Sequence, residues 1–144
     1  MEGECFAAAR RFITLATEGE APSIEDLSEA LDRLILAYHL TPRGDVSGDD
    51  REPPDTDHGY QLIGERFPAF GYYASVDPSE TEAEAALGDA IDDIADIVRD
   101  LRDVLWYLEN SGVDEAHWQF RFLFEIHWGR HARDLALYLH AKRF

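Results

Sequence analysis

Leu87, Ile91, Ile94, Val98, Leu101, Leu105 and Leu108 recur at alternating steps of four and three. That average of about 3.5 residues is the seam of a long helix packed near +20° on its neighbours. Ser79 with Glu82 and Thr81 with Glu84 form two overlapping capping boxes ahead of it, and Asn110, Ser111 and Gly112 end it. A last helix is expected over 114–142. Each of these two helices would hold roughly 28–30 residues and span about 42–45 Å. The short break between them then predicts an antiparallel hairpin.

The N-terminal part follows the same logic. Phe6, Ala9, Ile13 and Ala16 mark one helical face, which stops near Gly19. Ser23, three residues before Asp26, opens a second helix whose apolar row is Ile24, Leu27, Leu31, Leu34 and Tyr38; Thr41-Pro42 ends it. Periodicity vanishes over 43–57, where Asp45, Asp49, Asp50, Glu52, Asp55 and Asp57 crowd with glycine and proline. This stretch reads as a mobile acidic loop. A short helix is expected around Leu62 and Ile63, closed by Pro68, and the segment through Tyr72 and Tyr73 fits an extended stretch as well as a helical turn. The expected fold is a single all-α domain over 1–144, a helical bundle of four main helices plus one or two short ones.

Charge narrows the function classes. Lys and Arg number 13 against 30 Asp and Glu, a formal charge of −17. Direct binding to nucleic-acid backbones or anionic lipid needs clustered cations, so both are excluded as expectations. Cys5 is the only cysteine, which removes disulfides and multi-cysteine zinc sites. Glu2, Glu4, Arg10 and Arg11 interrupt any leader-like apolar run, and the expected compartment is the cytoplasm.

Asp89, Asp93, Asp96, Asp100 and Asp103 repeat at steps of four and three, with Asp92 beside them. Carboxylate rows can hold metal ions inside bundles. On a wheel with Ile91 at zero, however, the later seam residues fall between about 260° and 340° and the aspartates between about 120° and 200°. The stripe is therefore expected to face water, as an acidic docking face for a basic protein partner.

The last helix is apolar on nearly every side from Trp118 to Trp128, so it should be central. Arg121 and Glu125, four apart in an apolar sector, are expected as a buried ion pair, with an acid or base role for Glu125 as the sharper reading. His127 and His131 have the i,i+4 spacing that puts two imidazoles on one metal, although Trp128 stands where a zinc-protease motif has glutamate. His117 is expected at the edge of the core. Gly129, among bulky neighbours, predicts close approach of another element, with the segment 70–76 as the nearest choice.

The run AIDDIADIVRDLRDVLWYLENSG followed by HWQFRFLFEIHWGRHARDLALYLH resembles the bacterial domain-of-unknown-function family numbered 5063. The resemblance implies a small all-helical cytoplasmic protein with an Asp-rich helix before a segment carrying Phe124, Glu125, His127, Trp128, Gly129 and His131. It rests on the last sixty or so residues and, by pattern, on the first two helices; the acidic loop looks longer than the family's usual connection. It assigns no catalytic residue.

Phosphate loops, nucleophile elbows and complete metal motifs are missing from the sequence. The first functional expectation is a non-catalytic interaction module that binds a basic protein through the acidic face, or associates with itself, with no cofactor. The second is a metal-dependent hydrolase of a small, nucleotide-like substrate, which requires His127, His131 or Glu125 to meet Asp93 or Asp96 in one cleft. The third is a nucleic-acid mimic that inhibits by occupying a basic groove.

Overall fold

The computed structural model describes residues 3–48 and 50–144; Met1, Glu2 and Asp49 lie outside the described residues. Helix α1 (Glu4–Thr17) buries Cys5, Phe6, Ala9, Phe12 and Ala16 against α2 (Ile24–Leu40). The Ser23 hydroxyl accepts from the Asp26 N–H at 3.1 Å, the capping bond its spacing predicts. Residues 43–57, expected to be a mobile acidic loop, carry several ties. The Asp45 N–H donates to the Asp114 carbonyl at 3.2 Å, the Ser47 N–H donates to Glu115 at 3.0 Å, and Arg51 donates to the Asn110 carbonyl. Short helix α3 (Tyr60–Arg66) follows. Arg66 donates to the carbonyls of Leu15, Ala16, Glu18 and Gly19, satisfying the open end of α1.

The unassigned segment is extended. Strand β1 (Tyr72–Ser75) pairs antiparallel with β2 (Ala86–Asp89), Tyr73 opposite Gly88. The Tyr73 ring lies so close over Gly88 that a Cβ there would sit 2.3 Å from it. This strand pair corrects the start of the long helix: α4 (Ala90–Asn110) has 21 residues, not 28–30. Its N-cap is Asp89, which accepts from the N–H groups of Ile91 and Asp92. The residues of the two capping boxes precede β2 and open no helix. Leu87, placed in the seam by its spacing, is a strand residue and 74% exposed.

Helix α4 is the centre of the molecule, packed against α1, α3, α5 and α6. It buries Ile91, Ile94, Val98 and Leu101 on the predicted seam, and also Ile97 and Val104 beside it. The last helix is not continuous. It runs as α5 (Val113–Leu123), a wider π-turn (Phe124–Trp128) and α6 (Gly129–Arg143). The reason lies in the spacing of its buried residues: Ala116, Phe120, Phe124, Trp128 and Ala132 advance by four at every step. A regular helix of 3.6 residues per turn would drift by about 160° over that row. One wider turn takes up part of the drift and keeps the large rings inward. The architecture is thus mostly helical with a small two-stranded sheet. Among the described residues no helix is long and apolar enough to cross a membrane.

Gly129 closes the π-turn, its N–H donating to the Phe124 carbonyl. A Cβ on Gly129 would sit 2.3 Å from that carbonyl oxygen. The crowding therefore comes from its own helix and not from residues 70–76. Gly129→Ala is expected to destabilise by about 1–3 kcal/mol through this clash, despite alanine's better helix propensity. Urea denaturation checks it; a variant more stable than wild type would contradict the π-turn.

Candidate metal centre

Three of the five stripe aspartates do not face water. Asp93 is 4% and Asp100 8% exposed, and Asp96 is half-buried. On the wheel they border Ile97 and Val104, which continue the buried arc past the seam to about 220°. The π-turn and α6 cover that flank and bring two imidazoles to it. His131 Nδ1 lies 2.6 Å from Asp93, and His127 Nδ1 lies 2.7 Å from Asp100. An ionised carboxylate only accepts, so each Nδ1 carries a hydrogen, and each Nε2 becomes a lone-pair donor once its own proton is gone. Both Nε2 atoms face one oxygen, Asp96 Oδ2, at 3.1 Å from His131 and 3.7 Å from His127.

A third imidazole arrives from the two residues between the acidic loop and α3. His58 Nε2 lies 2.6 Å from Asp96 Oδ1 and 3.6 Å from Asp92 Oδ1. From the sheet, the Tyr73 hydroxyl donates to Asp93. Asp93 is thus held from both sides, by a ring nitrogen and a phenol.

Burial and these partners set the protonation. Burial raises the Asp93 and Asp100 carboxyls above their ordinary range, against the lowering effect of their histidines. Burial acts upward on Asp96 too, but hydrogen bonds from His131 and His58 win and hold it at about 2. Asp93 and Asp96 together push His131 up to about 10. That proton adds stability below the unfolded value near 6.5, and the contribution is lost as pH rises toward 10.

The other predicted residues fall elsewhere. Asp89 caps α4 and accepts from the Tyr60 hydroxyl at 2.6 Å. Asp103 is half-buried, and burial together with the Asp100 charge raises it to about 6. Arg121 and Glu125 do not form the enclosed pair that their spacing suggests. Their closest approach is 4.0 Å, and the Glu125 side chain is 49% exposed. Arg121 instead donates to the Tyr38 and Thr41 carbonyls at 3.0 Å each, where cations favour a helix end, and Glu125 accepts from the Tyr38 hydroxyl. His117 is buried and stacks on Phe6 at 5.1 Å. The sequence reading missed His58 and Tyr73 as site residues. Neither belongs to a periodic pattern, and only the tertiary fold delivers them.

The raised Asp103 has a measurable sign. Its folded value lies above the unfolded one, so stability falls as pH climbs from about 4 through 6 and stays lower above that. Asp103→Asn is expected to gain about 1–2 kcal/mol at pH 8 after allowance for solvent screening, and nothing near pH 4. Chemical denaturation of both proteins at the two pH values checks it.

The fold has a solved counterpart. Protein BF1032 from Bacteroides fragilis superposes with a TM-score of 0.76 over 98% of this chain and 90% of its own, at 17% identity. At that identity the likeness speaks for the fold alone. No curated protein matches the chain. The resemblance seen in the last two helices extends to almost the whole sequence: the profile of the Domain of unknown function (DUF5063) family matches residues 4–144, and this chain belongs to that family.

Proposed function

We propose that this protein is a metal-dependent hydrolase whose divalent cation is held by Asp96, His127 and His131. One observation carries the reading: both histidines are tied through Nδ1 to buried carboxylates while both Nε2 atoms converge on Asp96 Oδ2. Two ligand atoms on a tetrahedral zinc-sized ion lie about 3.4 Å apart. The observed 3.1 and 3.7 Å bracket that separation. Asp93 and Asp100 act as positioning residues, fixing tautomer and ring direction.

Three protein donors of the nitrogen and oxygen type leave coordination room for water, the layout of catalytic rather than structural zinc sites. Such an ion supplies a Lewis acid and a water of lowered pKa. The chain's own residues do the rest. The buried carboxylates orient the imidazoles, and the 42% exposed His127 side chain leaves the centre open to a small substrate. Docking of a basic protein to the acidic stripe draws less support, because Asp93, Asp96 and Asp100 are engaged by imidazoles. Self-association and nucleic-acid mimicry rest on composition alone.

Zn²⁺ or Mn²⁺ at a hundredfold over its dissociation constant is expected to add about 2.7 kcal/mol, a rise of roughly 8–12 °C in Tm. Asp96→Asn and His127→Ala should abolish the shift, and the exposed His140→Ala should keep it. Asp100→Asn should weaken binding about 10–100-fold without removing it. Differential scanning fluorimetry with metal analysis provides the test; protein free of stoichiometric metal and unmoved by either ion would overturn the proposal.

A further inference from the structure

Asp96 has a second oxygen, and it faces a second set of donors. Asp96 Oδ1 lies 2.6 Å from His58 Nε2, which lies 3.6 Å from Asp92 Oδ1. All three residues are half-buried or more exposed, and their donor atoms lie within 4.8 Å of one another, as do those of Asp96, His127 and His131. The two sets share only Asp96, one on each side of its carboxylate. We infer that a second divalent cation sits between His58, Asp92 and Asp96, that Asp96 bridges the two ions, and that the substrates are small phosphoesters. This rests on the first-ion reading above.

Charge supports a pair of ions over a single one. Asp92, Asp93, Asp96 and Asp100 form one linked network whose partners among the described residues are imidazoles and a tyrosine, with no Lys or Arg in their ion pairs there. When the imidazoles are neutral ligands, one divalent ion leaves two of these four negative charges unbalanced in a partly buried site. Two divalent ions balance them. Uncompensated buried charge is what such sites avoid. The Asp92 side chain is 43% and that of His58 27% exposed, so this half of the centre is the more open one.

The paired arrangement also selects the chemistry. Ions bridged by one carboxylate lie a few ångströms apart, the separation that clamps the attacking and leaving oxygens of an in-line displacement at phosphorus. In the hydrolysis, a water oxygen forms the new bond to phosphorus, the ester P–O bond breaks, and the departing alkoxide takes up a proton. No redox partner is involved. The formal charge of −17 repels long polyanions, which restricts the class to small esters.

Manganese titration followed by EPR, with metal analysis on the same samples, counts the ions. Wild type is expected to bind two per chain with spin coupling between them and to hydrolyse p-nitrophenyl phosphate or its bis-ester. His58→Ala and Asp92→Asn should each retain one uncoupled ion, a native circular dichroism spectrum and no turnover. One ion in wild type and in both variants would overturn this inference and leave the mononuclear reading intact. No ion in wild type would sink both. Two coupled ions with neither phosphoester cleaved would overturn the substrate class.

Discussion

Two carboxylates on a central helix have been taken out of water, and much of the architecture follows from what keeps them there. Asp93 and Asp100 stand on the flank of α4 that also buries Ile97 and Val104. Their partners are His131 and His127. A buried carboxylate without a partner would cost several kcal/mol. The docking of α6, the tautomer of each imidazole, the direction of each Nε2 and the position of Tyr73 are all tied to that requirement.

Much of the fold was readable because it rests on local chemistry. The Ser23 cap, the Thr41-Pro42 stop and the apolar rows of α1 and α2 need no tertiary information, and the structure has all of them. The start of α4 was misread for the opposite reason. Good capping sequences at Ser79 and Thr81 lose to pairing between β1 and β2, and that pairing is non-local. The site was half readable. The spacing of His127 and His131 sets both rings on one side of the helix, and the structure places both beside Asp96. The orientation of the aspartates was misread because the wheel used one seam alone. Ile97 and Val104 widen the apolar arc up to Asp93 and Asp100, and including them turns those carboxylates inward. His58 could not have been found this way, since a loop residue carries no period.

The chain's acidity also takes on a different meaning. Read as composition, a charge of −17 suggests a surface made for a basic partner. Read in three dimensions, part of it is concentrated on the first turns of α4, facing histidines and enclosed by α6, the loop and the sheet. The shared fold with BF1032 at 17% identity shows that this architecture tolerates wide replacement of its residues.

The π-turn sets one helix in two rotational phases. Residues before Phe124 are placed by the packing of Ala116 and Phe120, and residues after Trp128 by that of Ala132, Leu135 and Leu139. Rewinding the turn as regular helix with every residue kept would restore an even hydrogen-bond ladder, yet swing one half of the rod by about 100° against the other. Either the aromatic rings would leave the interior or the imidazoles would leave Asp96. The irregularity that a helix would shed if left to itself is the hinge on which the oily half and the ionic half of this protein agree.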